Sequence, residues 1–170
     1  MVFFMWLVFF IELKYSYNLS VFGILPRELY GMTGVLFAPV LHASLVHLIS
    51  NTFPLLFLGV TLYYFYGNIA PRVFLMTYFI TGMLVWLFAR TSFHIGASGI
   101  IYGIASFLFF SGLVRTEFRS LIISIGIVIV YGGLVWGVLP SIPGISWEMH
   151  LSGALVGAAS AFYYRNTRLS

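Results

Sequence analysis

Apolar residues in this chain gather in long runs, broken by short clusters of Gly, Pro, Asn and charged residues. A helix that crosses a bilayer needs about 20 predominantly apolar residues. Six segments approach that requirement: Val2 to Tyr17, Ser44 to Tyr66, Val73 to Phe88, Ser98 to Val114, Leu121 to Leu139 and Trp147 to Tyr164. The pattern predicts an all-α membrane protein, a six-transmembrane-helix bundle forming one domain over residues 1–170. Pro54 falls inside the second span, which membrane helices tolerate when neighbours satisfy the freed backbone. Met1 to Phe10 has no basic leader, and no small-residue cleavage site follows before Lys14 and Tyr15, so it reads as a retained, short first span. Glu12, near its end, reads as interfacial.

The longest connection, Asn18 to Leu41, holds turn formers (Gly23, Pro26, Gly31, Gly34, Pro39) beside Phe22, Leu25, Leu29, Met32, Leu36 and Phe37. A loop this apolar is expected to lie partly in the membrane interface and to pack on the bundle. The other connections are short, as between bundle helices. Pro140 to Gly144 reads as a stiff loop before the sixth span.

Composition strengthens the membrane reading. Of 170 residues, 61% are hydrophobic and 7% charged, against about 25% charged in ordinary soluble domains. A water-soluble fold of this size leaves too much surface exposed to hide so much apolar material. The net charge of +4 comes from eight scattered Lys and Arg rather than a basic face, which argues against nucleic-acid binding. There is no cysteine, hence no disulfide and no thiolate metal site. Basic residues near span ends set orientation. With the N-terminus cytoplasmic, Arg72, Arg115, Arg119, Arg165 and Arg168 fall inside, and Lys14, Arg27 and Arg90 outside. This orientation turns the long loop, Ser98 and the Pro140 loop outward.

Polar groups within apolar spans are costly and are usually kept for function. Three clusters stand out. In Gly96-Ala97-Ser98-Gly99, Ser98 opens the fourth span, where free backbone N–H groups favour developing negative charge. The plainer reading is a serine cap with glycines for close packing. His94, just upstream, reads as a loop residue at the interface. In the stretch from His42 to Asn51, His47 and Asn51 share a helix face and could donate to an oxyanion, or simply bond between helices. In the sixth span, His150, Gly153 and Gly157 share a face. Gly153 and Gly157 form a GxxxG, as do Gly99 and Gly103, and the two small-residue faces allow close helix approach. If they meet, His150 comes beside Ser98. Tyr102 lies one turn after Ser98, as support for an imidazole or as an ordinary core aromatic.

Taken in order, HxxxxHxxxN at His42, His47 and Asn51, GxSG at Ser98 with Tyr102 following, and HxxGxxxG at His150 make the chain resemble a rhomboid intramembrane serine protease. The resemblance covers all six segments. It implies Ser98 as nucleophile and His150 as general base in a dyad, since Glu148 stands on another helix face. It implies an oxyanion site from His47, Asn51 and the Ser98 N–H, shaped by Gly96 and Ala97. His42 is implied to be structural, holding the first loop, and Tyr102 to stack on His150. No metal or other cofactor is implied. The implied partners are single-span membrane proteins as substrates, cut from within the bilayer, and the implied location is the plasma membrane with the site facing outward. The chain departs from relatives that carry a Trp-Arg pair in the first loop: here that loop has no Trp and its one Arg is Arg27.

Other readings make different demands. A zinc protease would be expected to show HExxH, which is absent, although His42, His47 and His150 are donors in principle. A non-catalytic rhomboid-like protein that binds membrane clients would be expected to lack Ser98 or His150. A small transporter would be expected to show an internal repeat, and none is evident.

Overall fold

The computed structural model describes residues 1–140 and 144–169. Its α-helices are α1 (Val2–Tyr15), α2 (Gly34–Phe37, a single turn), α3 (Leu45–Phe65), α4 (Ala70–Phe88), α5 (Ser98–Val114), α6 (Phe118–Tyr131) and α7 (Trp147–Tyr163). Short 3₁₀ stretches fill much of the first loop, and one of seven residues, Gly132–Val138, continues α6. Among the described residues there are no strands, only an isolated bridge between Ile24 and His94.

Helices occupy all six segments expected to span. Three are long and apolar enough to cross a membrane: α3, α4 and the run from Phe118 to Val138. The others are shorter, at 14 residues for α1 and 17 each for α5 and α7. At about 1.5 Å per residue they fall short of a hydrocarbon core about 30 Å thick. The chain is a multi-pass membrane protein, and among the described residues three helices meet the length and composition of a complete crossing. The expected stiff loop at Pro140–Gly144 lies outside the described residues at 141–143.

α5 is the axis of the bundle and contacts α3, α4, α6 and α7. Glycine makes the tightest of these contacts possible. A Cβ on Gly153 would stand 2.1 Å from Gly99 O, and one on Gly157 2.0 Å from Gly103 O. The two GxxxG faces therefore meet, as expected, with backbone on backbone. On the other side of α5, a Cβ at Gly112 would stand 2.2 Å from Ser124 Cβ, and Ser124 Oγ donates to Phe109 O at 2.8 Å. α6 packs on α5 through Ser120, Ser124 and Ile127, which are buried, while Ile122, Ile125, Val128, Ile129 and Val130 point outward.

The apolar first loop packs on the bundle. Ile24 and His94 exchange backbone bonds of 3.0 and 2.9 Å. Arg27, the one arginine of the loop, ties it to the bundle. Its guanidinium donates to Ala89 O at 2.8 Å and Thr91 Oγ1 at 3.0 Å, capping the end of α4. Trp86 on α4 donates back to Glu28 O at 2.9 Å. Glu12 accepts the Leu19 N–H at 2.9 Å and so turns the chain out of α1. Arg115, Arg119 and Arg168 collect where α3 and α7 end, through Tyr164 O, Phe65 O and Asn68. Arg27 and Arg90 lie at the end of α4.

Candidate active site

Ser98 begins α5 because the chain before it is bent away from helix. Gly96 has φ +106°, a conformation that favours glycine, and its N–H donates to Ala38 O at 2.8 Å. Buried Ala97 precedes the first helical turn, and Ser98 is half-buried at its start. The Ile100 and Ile101 N–H groups donate to Ala97 O, whereas those of Ser98 and Gly99, at the first two positions, have no carbonyl within the helix to reach.

Ser98 lines a cavity of about 830 Å³ together with His47, Ser50, Asn51, Arg90, His94, Tyr102, Leu134, Ser146 and His150. Every residue expected to act directly is therefore on one wall system. Among the described residues no hydrogen bond joins Ser98 to His150; Ser98 Oγ instead lies 3.8 Å from Met149 Sδ. Such bonds are commonly long or unformed until substrate is bound.

His150 is buried on α7 and held from two sides. Its ring stacks on Tyr102 with centroids 4.1 Å apart and planes 5° from parallel, as the resemblance implied. Its Nδ1 lies 2.8 Å from Gly137 O. Glu148 turns toward Arg90, with Arg90 Nε 3.6 Å from its Oε1, and among the described residues no carboxylate is hydrogen-bonded to the imidazole.

Ser44 caps α3 by accepting the His47 N–H at 3.1 Å. The His47 ring lies against Gly96, where a Cβ would stand 2.7 Å from Nε2. Gly96 is thus required both by its own φ and by this imidazole. Asn51 Nδ2 donates to His47 O at 2.8 Å, and its buried Oδ1 is unpartnered. An amide nitrogen carries two hydrogens, so one remains for a ligand.

His42 lies outside this cavity. It lines a second one of about 410 Å³ with Glu12, Ser16, Asn18 and Ser20; Ala43 and Ser44 line both. The His42 ring meets His47 edge-on at 4.9 Å and its Nδ1 reaches Val40 O at 3.4 Å, which suits a part in holding the loop. Burial, with His47 nearby, lowers its pKa to about 4.

His94 has a fuller role than its place in a loop suggests. It is a loop residue, as expected, and it is buried within the protein. Its Nε2 lies 3.0 Å from Arg90 O, which can only accept, so Nε2 carries the proton. Nδ1 then accepts from Ser146 Oγ at 2.5 Å. Burial lowers its pKa as well. With Arg90 Nη2 donating to Ile145 O at 2.6 Å, this links the α4–α5 loop to the start of α7. Sequence reasoning took Arg90 only as a topology signal and passed over Ser146 and Gly137; all three act through backbone groups or loop neighbours that no local spacing marks. Among the described residues no three His, Cys, Asp or Glu side chains converge to hold a metal.

Residues 27–167 match the family model for the Rhomboid domain. The chain is 36% identical over 154 residues, 85% of its length, to an uncharacterized protein of Mycobacterium tuberculosis, and equally to one of Mycobacterium bovis. It is 39% identical over 139 residues, 76% of its length, to an uncharacterized protein of Mycobacterium leprae. The matched region spans 64% of the first two relatives and 55% of the third.

Proposed function

The chain belongs to the rhomboid family, and from that premise we propose that it is an intramembrane serine endopeptidase that cleaves single-span membrane proteins. The observation that carries this reading is the convergence of Ser98, His150, His47 and Asn51 on one cavity.

In this reading Ser98 Oγ attacks the scissile carbonyl carbon as the His150 imidazole takes its proton. The carbonyl oxygen becomes an oxyanion. It is held by the Ser98 N–H at the start of α5, the free hydrogen of Asn51 Nδ2 and the His47 ring, a site of three donors that need little rearrangement. Collapse breaks the C–N bond, and the imidazolium returns its proton to the leaving amine. Water entering the cavity then attacks the acyl ester with His150 again as base, which releases the acid and restores Ser98. A substrate helix must unwind to present a carbonyl here, which favours segments rich in small residues. Membership of the family and the arginine distribution favour a plasma-membrane protein with the cavity toward the outer face.

The test is cleavage of a model single-span substrate by purified protein in detergent, with Ser98→Ala beside it. Wild type should cleave, and the variant should lose a factor on the order of 10⁴ or more. Equal cleavage by both sinks Ser98 as nucleophile. If neither cleaves and a fluorophosphonate does not label Ser98, the chain is a client-binding member of the family instead.

A further inference from the structure

A histidine that acts as a base needs one ring nitrogen free of its proton and aimed at the nucleophile, and something must fix which nitrogen that is. In His150 the group that does so is a backbone carbonyl. Gly137 O stands 2.8 Å from Nδ1, and a carbonyl oxygen can only accept. Nδ1 therefore carries the hydrogen and Nε2 is the basic nitrogen.

The local chain explains why this carbonyl is available. Gly137 lies in the 3₁₀ stretch Gly132–Val138, where a carbonyl's partner is the N–H three residues on. Three residues on is Pro140, which has no N–H. The same residue also sets the spacing of the ring stack. A Cβ on Gly137 would stand 1.8 Å from Tyr102 Oη, 2.9 Å from Tyr102 Cζ and 3.1 Å from His150 Nδ1. The φ of Gly137 is not in the left-handed region, so glycine is required here for space and not for conformation. Gly133, four residues earlier, would meet nothing within 4 Å.

We propose that Gly137 is a positioning residue for the catalytic base: its carbonyl fixes the Nδ1–H tautomer of His150, and its missing side chain admits the Tyr102–His150 stack. This rests on the hydrolase reading above. It places the wall formed by residues 132–138 in the function usually given to a carboxylate.

The first measurement reads the contact without reference to activity. In ¹⁵N-histidine-labelled wild type in detergent, with the signal assigned by its loss in His150→Gln, the neutral ring should be protonated on Nδ1. Protonation on Nε2 overturns the proposal, whether or not any variant folds. The second compares Gly137→Ala with Gly133→Ala. Gly137→Ala should lose roughly a hundredfold in cleavage, the scale of an ångström's misplacement of a reacting group. Gly133→Ala should stay within about twofold of wild type. Adding Tyr102→Phe to Gly137→Ala removes the closest clash and should restore part of the loss. Gly137→Ala as active as Gly133→Ala overturns the proposal. A wild type that neither cleaves nor reacts with a fluorophosphonate overturns the hydrolase reading and the catalytic meaning of the contact, while the tautomer still reports on the contact itself.

Discussion

The α5–α7 seam and the wall formed by α6 with residues 132–138 border the same cavity but are built in opposite ways. In the seam, helix backbones touch through Gly99, Gly103, Gly153 and Gly157, and most of α5 is buried. In the wall, only Ser120, Ser124 and Ile127 of α6 are buried, and none of the 3₁₀ stretch. The seam carries both Ser98 and the backbone of His150, so their separation is set by close-packed main chain. The wall supplies a carbonyl to the far side of the same imidazole. One side of the cavity is thus fixed by close-packed main chain, while the other buries few side chains and turns most of its apolar residues outward. A region of few buried contacts opens at low free energy, so motion near this site is expected in the wall.

The largest effect that would break this contrast comes from a single methyl group placed on each side. Gly153→Ala puts a Cβ 2.1 Å from a backbone oxygen, which no side-chain rotation can relieve. Forcing the helices apart should cost about 3 kcal/mol or more and reduce Ser98 labelling. Gly126→Ala, on α6, meets nothing within 4 Å. There the methyl group should be neutral or stabilise by roughly 0.5–1 kcal/mol by favouring helix. Thermal unfolding of both in one detergent decides it. Equal melting temperatures would show that the seam is not the rigid side.

Acid should sharpen the contrast next. His42 and His94 sit in loops that brace the seam side, and both are buried with lowered pKa values. For His42 the value falls from 6.5 to about 4. Between those values the unfolded chain binds more protons than the folded one, so stability rises with pH. The contribution is whole above about pH 6.5 and is lost as pH falls toward about 4; for His42 it is on the order of 3 kcal/mol. The wall, residues 118–138, has no histidine or carboxylate. Melting temperature should therefore drop between about pH 7 and about pH 5. His42→Phe, which keeps the edge contact with His47, should shrink that drop. An unchanged drop would place the acid sensitivity elsewhere.

The sequence made the seam readable because its signals are local. Paired glycines four apart mark a face, GxSG marks a helix start, and α5 spans the residues expected, Ser98–Val114. The wall was less readable. Leu134, Val135 and Val138 suit an α-helix or a 3₁₀ helix equally, so the change of winding after Tyr131 leaves no trace in apolar spacing; Gly132-Gly133 is the one hint. The burial of His94 was not legible because it depends on pairing with Ile24, far away in the chain. The support for His150 was invisible to any search over side chains because it is a carbonyl. Pro140, the residue that leaves that carbonyl free, was read only as part of a stiff loop.

The smallest expected effect lies where α7 begins. Arg90 joins the end of α4 to this point through Ile145 O and Glu148. Its side chain is 46% exposed and that of Glu148 10% exposed; with the arginine end screened by solvent the pair contributes up to about 1 kcal/mol. Glu148 Oε1 also takes the Arg90 backbone N–H at 3.4 Å, a contact that Arg90→Ala leaves in place. Arg90→Ala should therefore lower stability by less than about 1 kcal/mol, with cleavage little changed. Salt separates the two parts of the tie, because it screens the ion pair but not the bond to Ile145 O. Wild type in high salt should lose less than Arg90→Ala loses. A loss of several kcal/mol in Arg90→Ala would mean that the glycine contacts do not hold α7 alone and that the rigid side of the cavity depends on this loop tie.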